Sequence, residues 1–276
     1  MLITLTTDFG LQDGYVGVLK GVLSGIAPNV PLIDITHEIP PHDVRSAAYV
    51  LWTALGYFSR ASVHLVVVDP GVGTERQALA SLTEWGVLVG PDNGIFSYVW
   101  AVKPPLRTVR LTHPKYHRPV ISTTFHGRDI FAPAAAHLAT GVSLVELGPQ
   151  VEPHDLVRLS PPSLTVRGKH VQGEVIYIDR FGNAVTSIGR LTWGGTLLHL
   201  DPIFGQTQSA LLRSEQVRVS VGERDIGPIR RTYGEVAPGE PLALVGSEGL
   251  LELAVAQQHG AQTLGLRLGD KVEIAL

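Results

Sequence analysis

Several residue types and patterns are missing from this sequence of 276 residues, and each absence removes a class of function. There is no cysteine, which excludes disulfides, thiolate metal sites and a cysteine nucleophile. The net charge is −3, and the basic residues are scattered along the chain. A nucleic-acid-binding surface would show a basic patch or stripe, so we expect no nucleic-acid partner.

Long apolar runs are also absent. No stretch reaches the roughly 18 consecutive apolar residues that a membrane-spanning helix needs. The first ten residues, MLITLTTDFG, contain an aspartate and lack the basic region and cleavage site of a signal peptide. We therefore predict a cytoplasmic protein without a membrane partner.

The common cofactor and metal motifs do not occur either. The segment Gly71-Val72-Gly73 lacks the third glycine of a dinucleotide-binding fingerprint, and there is no P-loop. His37 and His42 loosely resemble the histidines of a zinc-protease motif, but Pro40 and Pro41 forbid the helix that would align them. The sequence thus predicts no cofactor and no metal.

The N-terminal part of the chain alternates between apolar β-rich runs and helical segments. This alternation is typical of an α/β layer with a mostly parallel central sheet. The predicted strands are 2–7, 31–35, 63–68 and 106–111, and the predicted helices are 13–26, 43–58 and 127–140.

Two local features of this part carry further predictions. Gly17, Gly21 and Gly25 share one face of the first helix, so we expect that face to approach the sheet closely. Residues 79–89 predict a hairpin that is closed by the turn Pro91-Asp92-Asn93-Gly94.

The pattern changes at Ser160-Pro161-Pro162-Ser163, a segment typical of a linker. Short β-like runs separated by turn residues follow it, with few helical segments, which favours a small barrel or sandwich. The predicted strands are 171–178, 196–200, 216–221, 242–245 and 271–275. We therefore predict two domains, an α/β domain over 1–162 and a β-barrel domain over 163–276.

Polar side chains stand at the edge of the predicted sheet. Asp8 and Asp69 directly follow strands, His42 lies in the loop after the second strand, and His126 precedes a helix. Each of them alone has a structural explanation, such as a turn or a helix cap. Ligands bind at the carboxyl ends of strands in open α/β sheets, so their convergence predicts the functional site there.

Five motifs along the chain resemble those of the S-adenosyl-L-methionine hydrolases that form adenosine, relatives of the enzymes that fluorinate or chlorinate the same substrate. The motifs are Thr7-Asp8-Phe9-Gly10, Asp69-Pro70-Gly71-Val72-Gly73, Thr124-Phe125-His126-Gly127-Arg128-Asp129, Asp179-Arg180-Phe181-Gly182-Asn183 and Gly246-Ser247-Glu248-Gly249. The resemblance covers essentially the whole chain. It implies an N-terminal α/β domain, a C-terminal β-barrel and a homotrimer whose sites lie between one subunit's N-terminal domain and its neighbour's C-terminal domain.

The resemblance also implies a substrate-binding set. Asp8 is expected at the ribose hydroxyls, which a carboxylate accepts well, and Asp179 at the substrate's ammonium. Glu248 stands where the halogenating relatives have an arginine that meets the substrate's carboxylate. The full set is Asp8, Phe125, Asp179, Phe181, Asn183, Ser247 and Glu248.

The catalytic residues implied by the resemblance are Asp69, Arg76 and His126. The halogenating relatives carry a tyrosine at the place of Asp69 and a serine at the place of Gly127. A fixed carboxylate repels a halide, whose desolvation is already costly, so Asp69 favours water as the nucleophile. We expect Asp69 to orient the water, Arg76 to steer it or stabilise hydroxide, and His126 to accept the proton.

Three alternatives remain open at this point. The chain could transfer a halide to the same carbon, or it could bind S-adenosyl-L-methionine as a non-catalytic sensor. It could also be a metal-dependent nucleoside or phosphate hydrolase that uses Asp8, His42 and Asp69.

Overall fold

The computed structural model describes residues 1–168, 170–204 and 208–275. Its contacts divide the chain into two compact units, Met1–Leu159 and Ser160–Leu276. The domain boundary expected from the sequence lies after residue 162.

The first unit is built around a six-stranded sheet in the order β2-β1-β3-β5-β4-β6. The first four strands of that order run parallel, and β4 pairs in antiparallel fashion with both β5 and β6. The strands are β1 Ile3–Thr7, β2 Leu32–Thr36, β3 Val63–Val67, β4 Ala78–Thr83, β5 Gly86–Pro91 and β6 Arg107–Arg110. This confirms the predicted α/β class with a mostly parallel sheet.

Helices bury both faces of this sheet, which explains why β3 is apolar along nearly its whole length and fully buried. On one face, Ile3, Leu5 and Leu65 pack with Leu19 and Leu23 of the first helix and with the alanines of the fourth. The helices are α1 Tyr15–Ile26, α2 Val44–Leu55, α3 Ser97–Val102 and α4 Ala132–Ala139, the last preceded by a π-helical turn over Gly127–Phe131.

The expected contact between the glycine face of α1 and the sheet is wrong. Gly17, Gly21 and Gly25 are exposed, and a Cβ added at any of them would meet no atom within 4 Å. The buried face of α1 is the apolar one, which carries Leu19 and Leu23. Apolar burial, which lowers the free energy of the fold, decides the helix orientation here.

The predicted hairpin exists, but its turn is elsewhere. Strands β4 and β5 pair around Glu84-Trp85, where the Thr83 hydroxyl accepts a hydrogen bond from the Trp85 amide. Pro91 is instead the last residue of β5, and Asp92-Asn93-Gly94 leads from it towards α3. Helix α3 was not predicted, because its β-branched and aromatic residues favour a strand and only their burial in the fold makes them helical.

The second unit is almost entirely β-structure. A three-stranded sheet has the order β10-β11-β12, and a nine-stranded sheet runs β14-β13-β18-β8-β9-β17-β16-β15, with β7 paired to β8. Because β14 at one end also contacts β16 near the other, the larger sheet curls into a nearly closed barrel. This confirms the predicted β-barrel.

The elements of this unit are short and joined by turns. They are β7 Thr165–Arg167, β8 His170–Ile178, β9 Ala184–Thr186, β10 Leu191–Gly194, β11 Leu197–Leu200, β12 Ala210–Arg213, β13 Arg218–Val221, β14 Arg224–Gly227, β15 Ile229–Arg230, β16 Pro241–Val245, β17 Leu251–Val255, α5 Gly260–Leu264 and β18 Lys271–Ala275. Within the described ranges, no helix combines the length and apolar character that a membrane crossing requires.

The buried His64 of β3 should make the stability of the first unit depend on pH. Its Nδ1 bonds to the Thr4 hydroxyl and its Nε2 to the carbonyl of Trp85, and burial lowers its pKa from 6.5 to about 4. The unfolded chain therefore binds more protons than the folded one between these values. We expect the free energy of unfolding to fall by about 3 kcal/mol as the pH drops from 6.5 towards 4.

Chemical denaturation of wild type and His64→Gln across this pH range would measure the effect. The variant should show a weaker pH dependence, whereas His154→Gln, which changes an exposed histidine, should behave as wild type. Equal pH dependence in all three proteins would contradict the assignment.

Candidate functional site

Asp69 lies two residues beyond the end of β3, where it forms a bidentate ion pair with Arg76. The Arg76 Nε donates to both carboxylate oxygens of Asp69, at 2.9 and 3.1 Å, and Nη2 donates to Oδ2. Both side chains are nearly buried. The Asn93 side chain donates to the carbonyl of Val68 at 2.8 Å, which fixes the backbone directly before Asp69.

The same guanidinium also holds His126. Its Nη2 lies 2.7 Å from Nδ1 of the imidazole. Arginine has donors only, so Nδ1 must be the acceptor and the proton of the neutral ring is on Nε2. Burial lowers the pKa of His126, and the positive charge of Arg76 lowers it further. His126 is therefore neutral at neutral pH.

Arg76 is itself fixed from behind. Its Cζ lies 5.1 Å from the centroid of the Phe131 ring, a cation–π arrangement. The turn that connects Arg76 to Asp69 passes close to the loop that contains Thr123. Gly73 in this turn has φ +78°, and a Cβ there would lie 2.3 Å from the carbonyl oxygen of Thr123. Glycine is thus required at this position for both conformation and space.

The segment that carries His126 is anchored by Asp129, which is fully buried. Arg128 donates from Nε and Nη2 to its two carboxylate oxygens, at 2.7 and 2.8 Å, and the Ser122 amide donates at 2.9 Å. The Arg128 guanidinium also lies over the ring of Phe125, at 5.2 Å. These contacts position the residues on both sides of His126.

Asp69 and His126 border a cavity of about 260 Å³ in the first unit. The rings of Phe9, Tyr15 and Phe125 meet edge to face or tilted, with centroids 5.4–6.0 Å apart, and form its apolar wall. The described lining residues are Asp8, Phe9, Tyr15, Pro41, His42, Val67, Asp69, Val72, Thr124, Phe125, His126 and Gly127. Arg76 is not among them, so it supports the two facing side chains without lining the cavity.

Asp8 lies across the same cavity, directly after β1. Its Oδ2 accepts a hydrogen bond from the backbone amide of His42 at 2.9 Å. His42 has φ +68°, an uncommon value for a residue other than glycine, and this bond helps to hold it there. No partner of Oδ1 of Asp8 is found within the described residues, so this oxygen can accept a hydroxyl.

The second unit has a larger cavity of about 900 Å³. Its described lining residues are Asp179, Phe181, Asn183, Arg231, Thr232, Tyr233, Leu244, Val245, Gly246, Ser247, Glu252, Val255, Gln257, Gln258 and His259. Four substrate-binding positions expected from the sequence thus meet here: Asp179, Phe181, Asn183 and Ser247. Glu248, the fifth, is not part of the described lining.

Asp179 organises the turn after β8. Its carboxylate accepts the amides of Phe181 and Asn183, at 2.9 and 2.8 Å, and the side-chain amide of Asn183 at 2.9 Å. The ring of Phe181 is 73% exposed at the cavity rim. An exposed phenylalanine on a hydrogen-bonded turn is available to stack on a ligand.

Two further cavity residues, Tyr233 and Glu252, were missed by the sequence analysis. The Tyr233 hydroxyl lies within hydrogen-bonding distance of the side chains of Asn183 and Glu252. Burial raises the pKa of Tyr233 to about 12 and, helped by the negative charge of Asp179, raises that of Glu252. Neither residue belongs to a local motif. Tyr233 follows β15 and Glu252 lies on β17, and only the order of these strands in the sheet brings both residues to the turn.

No group of three or more His, Asp or Glu side chains arranged to hold a metal ion occurs in the described ranges 1–168, 170–204 and 208–275. Asp8, His42 and Asp69, considered above as a metal-site alternative, border the same cavity but do not form such a group.

Comparison with known proteins identifies relatives over the whole length of the chain. The model of the SAM hydroxide adenosyltransferase N-terminal domain matches residues 3–148, and that of the C-terminal domain matches residues 173–273. An (R)-S-adenosyl-L-methionine hydrolase from Thermus thermophilus is 44% identical, with 97% of each chain covered. A protein of the same name from Salinispora tropica is 42% identical, over 99% of this chain and 97% of the relative.

Other relatives extend this picture. A fluorinase from Actinoplanes is 26% identical over 99% of this chain and 97% of its own. The solved structure of an uncharacterised conserved protein from Thermotoga maritima superposes with a TM-score of 0.86, at 34% identity and complete coverage of both chains.

Gly73→Ala should damage the site through the contact with Thr123. Alanine at φ +78° is strained, and its Cβ would push the turn away from the carbonyl oxygen of Thr123, which displaces Asp69 and Arg76. We expect the catalytic activity, measured as kcat/KM, to fall at least about 10-fold.

Gly141→Ala is the matched control, because Gly141 has φ +99° but nothing lies within 4 Å of its added Cβ. It should cost about 1 kcal/mol of stability and leave the activity of the folded protein unchanged. Full activity in Gly73→Ala, or an equal loss in both variants, would contradict this role of the turn.

Proposed function

We propose, since the chain belongs to the SAM hydroxide adenosyltransferase family, that it cleaves S-adenosyl-L-methionine with water at C5′ to give adenosine and L-methionine. The observation that carries the proposal is the Asp69–Arg76–His126 arrangement at the edge of the first cavity. The names of its relatives support the same reaction. We further propose that it works in the cytoplasm.

The chemistry demands little of the leaving group. The carbon–sulfur bond breaks with its electron pair going to the sulfonium, which becomes the neutral thioether of methionine. The difficulty lies in the nucleophile, because water is weak and must lie in line with that bond. Holding it near C5′ in this orientation can supply several kcal/mol of the barrier.

The hydrogen bonds favour a division of roles that differs from the one expected from the sequence. The ring nitrogen of His126 that could accept a proton is already bonded to Arg76, and the other carries the proton. We infer that this N–H donates to the water oxygen while Asp69 accepts a water hydrogen and then the proton. Arg76 positions both side chains and does not touch the substrate.

The same geometry disfavours a halide. The carboxylate of Asp69 borders the cavity, and it repels an anion that has lost its water. A Cβ at Gly127 would lie 3.2 Å from the ring of Phe9 and 3.3 Å from that of Phe125, so a serine there would crowd the aromatic wall. The proposal therefore predicts adenosine as the product even in the presence of chloride.

The pH dependence of the reaction should report on His126. Protonation would place a hydrogen on Nδ1 and break the bond from Arg76, so we expect kcat/KM to fall in acid with a midpoint below 6.5, the direction in which the His126 pKa is shifted. In His126→Asn the amide oxygen can still accept from Arg76 and its NH₂ can donate to water. This variant should keep partial activity and lose the acid limb.

Asp69→Asn is the companion measurement. Removing the proton acceptor should lower kcat by about 100-fold or more. The change also removes one charge of a nearly buried ion pair and should lower the melting temperature, so kcat is measured where the variant is folded. If His126→Asn were the more damaging variant, or if its acid limb matched wild type, the division of roles would be wrong.

We propose that the complete site forms between neighbouring subunits of a homotrimer. Asp69, His126 and Asp8, the residues proposed at the water and the ribose, border the first unit's cavity. Asp179, which is expected at the ammonium, borders the second unit's cavity. At about 260 Å³ the first cavity is smaller than typical ligand pockets, so it needs a second surface to enclose the substrate.

Subunit complementation tests this arrangement. Asp69→Asn and Asp179→Asn proteins should each be inactive, and denatured and refolded together at equal amounts they should form mixed trimers. If each site takes one half from each of two neighbouring subunits, both halves are unmutated in about a quarter of the sites of randomly mixed trimers. About a quarter of wild-type activity should therefore return. No recovery, or a monomeric mass in solution, would overturn the shared site.

The direct test of the activity is product analysis. The purified protein is incubated with S-adenosyl-L-methionine, with and without chloride, and the nucleosides are separated. Adenosine in both incubations supports the proposal. Formation of 5′-chloro-5′-deoxyadenosine would instead indicate halide transfer, and tight binding without any product would indicate a sensor; loss of activity in EDTA would indicate metal dependence.

A further inference from the structure

The larger cavity carries an imbalance of charge. Two carboxylates, Asp179 and Glu252, are part of its described lining. Arg231 is the one lysine or arginine among the described lining residues. An α-amino acid group bears one positive and one negative charge, so a cavity that binds it needs a cation as well as an anion. The carboxylates can meet the ammonium, which leaves Arg231 for the opposite charge.

The fold places Arg231 beside the motif that contains Ser247. Strand β15 ends at Arg230, which pairs in parallel register with Leu244 of β16. Arg231 therefore leaves the sheet next to the point where Val245 leads into Gly246 and Ser247. Both Arg231 and Ser247 line the cavity.

The guanidinium is held in place but not neutralised. Its Cζ lies 4.1 Å from the centroid of the Trp193 ring, and Nη2 donates to the carbonyl of Gly195 at 2.6 Å. Within the described residues, no carboxylate forms an ion pair with this side chain. A guanidinium has five N–H donors, so most of the donors of Arg231 remain free. Stacking on Trp193 reduces the conformational entropy that binding would otherwise cost.

We propose that Arg231 binds the carboxylate of the substrate's methionine group and so selects substrates that carry one. The inference rests on the proposed function, because it takes S-adenosyl-L-methionine as the ligand. It also accounts for Glu248, which stands where the halogenating relatives have an arginine: the positive charge comes from the neighbouring strand instead. Arg231 is then a specificity-determining residue, remote from the atoms that react.

The test compares S-adenosyl-L-methionine with its decarboxylated form, which keeps the sulfonium, the amine and the nucleoside. Wild type should prefer the carboxylated substrate, and Arg231→Gln should lower kcat/KM for it by roughly 10- to 100-fold while leaving the decarboxylated substrate nearly unaffected. Arg231→Lys should recover part of the loss. Arg224→Gln is the matched control, since it removes another exposed arginine whose guanidinium bonds one backbone carbonyl, outside this cavity.

The outcomes separate the inference from the proposed function. Equal losses on both substrates would show a structural role, and no loss would show no role; either result overturns the inference while hydrolysis stands. A wild type that uses both substrates equally well overturns it too. If wild type cleaves neither compound, the proposed function fails. The inference is then decided by calorimetry, which measures whether Arg231→Gln weakens binding of the carboxylated compound more than binding of the decarboxylated one.

Discussion

The guanidinium of Arg76 donates hydrogen bonds to Asp69 and to His126 at the same time, and the proposed chemistry depends on this double contact. Since an arginine only donates, one contact fixes which nitrogen of the imidazole carries the proton, and the other keeps the carboxylate in a single orientation. Of the two side chains that border the cavity, the Asp69 carboxylate therefore accepts hydrogen bonds and the Nε2–H of His126 donates one. In the proposed mechanism, a water molecule between them is oriented before the substrate arrives.

Much of the first unit serves to keep this contact in place. The parallel strand β3 delivers Asp69 to the edge of the sheet, and Asn93 clamps the backbone just before it. Phe131 lies beneath the guanidinium, and the buried Asp129 anchors the segment that leads to His126. Asp129 and Phe131 both lie in the π-helical turn before α4, where the backbone is already hydrogen-bonded.

The second unit contributes a different kind of surface. Its turn after β8 presents Asp179 through hydrogen bonds to the backbone and Asn183. In its cavity, burial and neighbouring carboxylates raise the pKa values of Tyr233 and Glu252. In the proposed mechanism this surface recognises charge and shape, and the groups that bind the water belong to the first unit. In the account proposed here, recognition and reaction are therefore separated between two units, and a subunit interface joins them.

The sequence predicts those features that depend on local pattern. Alternating apolar runs indicated the α/β unit and the barrel, and polar residues directly after strands, such as Asp8 and Asp69, are visible without a structure. Features set by packing were missed or misjudged: the glycine face of α1 is exposed, and helix α3 resembles a strand. Tyr233, Glu252 and Arg231 stand in no motif, and the strand pairing of the barrel alone brings them to the cavity.

The proton location on His126 could not be predicted either, because it follows from a hydrogen bond across 50 residues of sequence. The claim that water attacks C5′ within this arrangement is tested most directly by a single turnover in ¹⁸O-labelled water, followed by mass spectrometry of both products. The account predicts one ¹⁸O in the 5′-hydroxyl of adenosine and none in methionine. Unlabelled adenosine, or label in methionine, would contradict it.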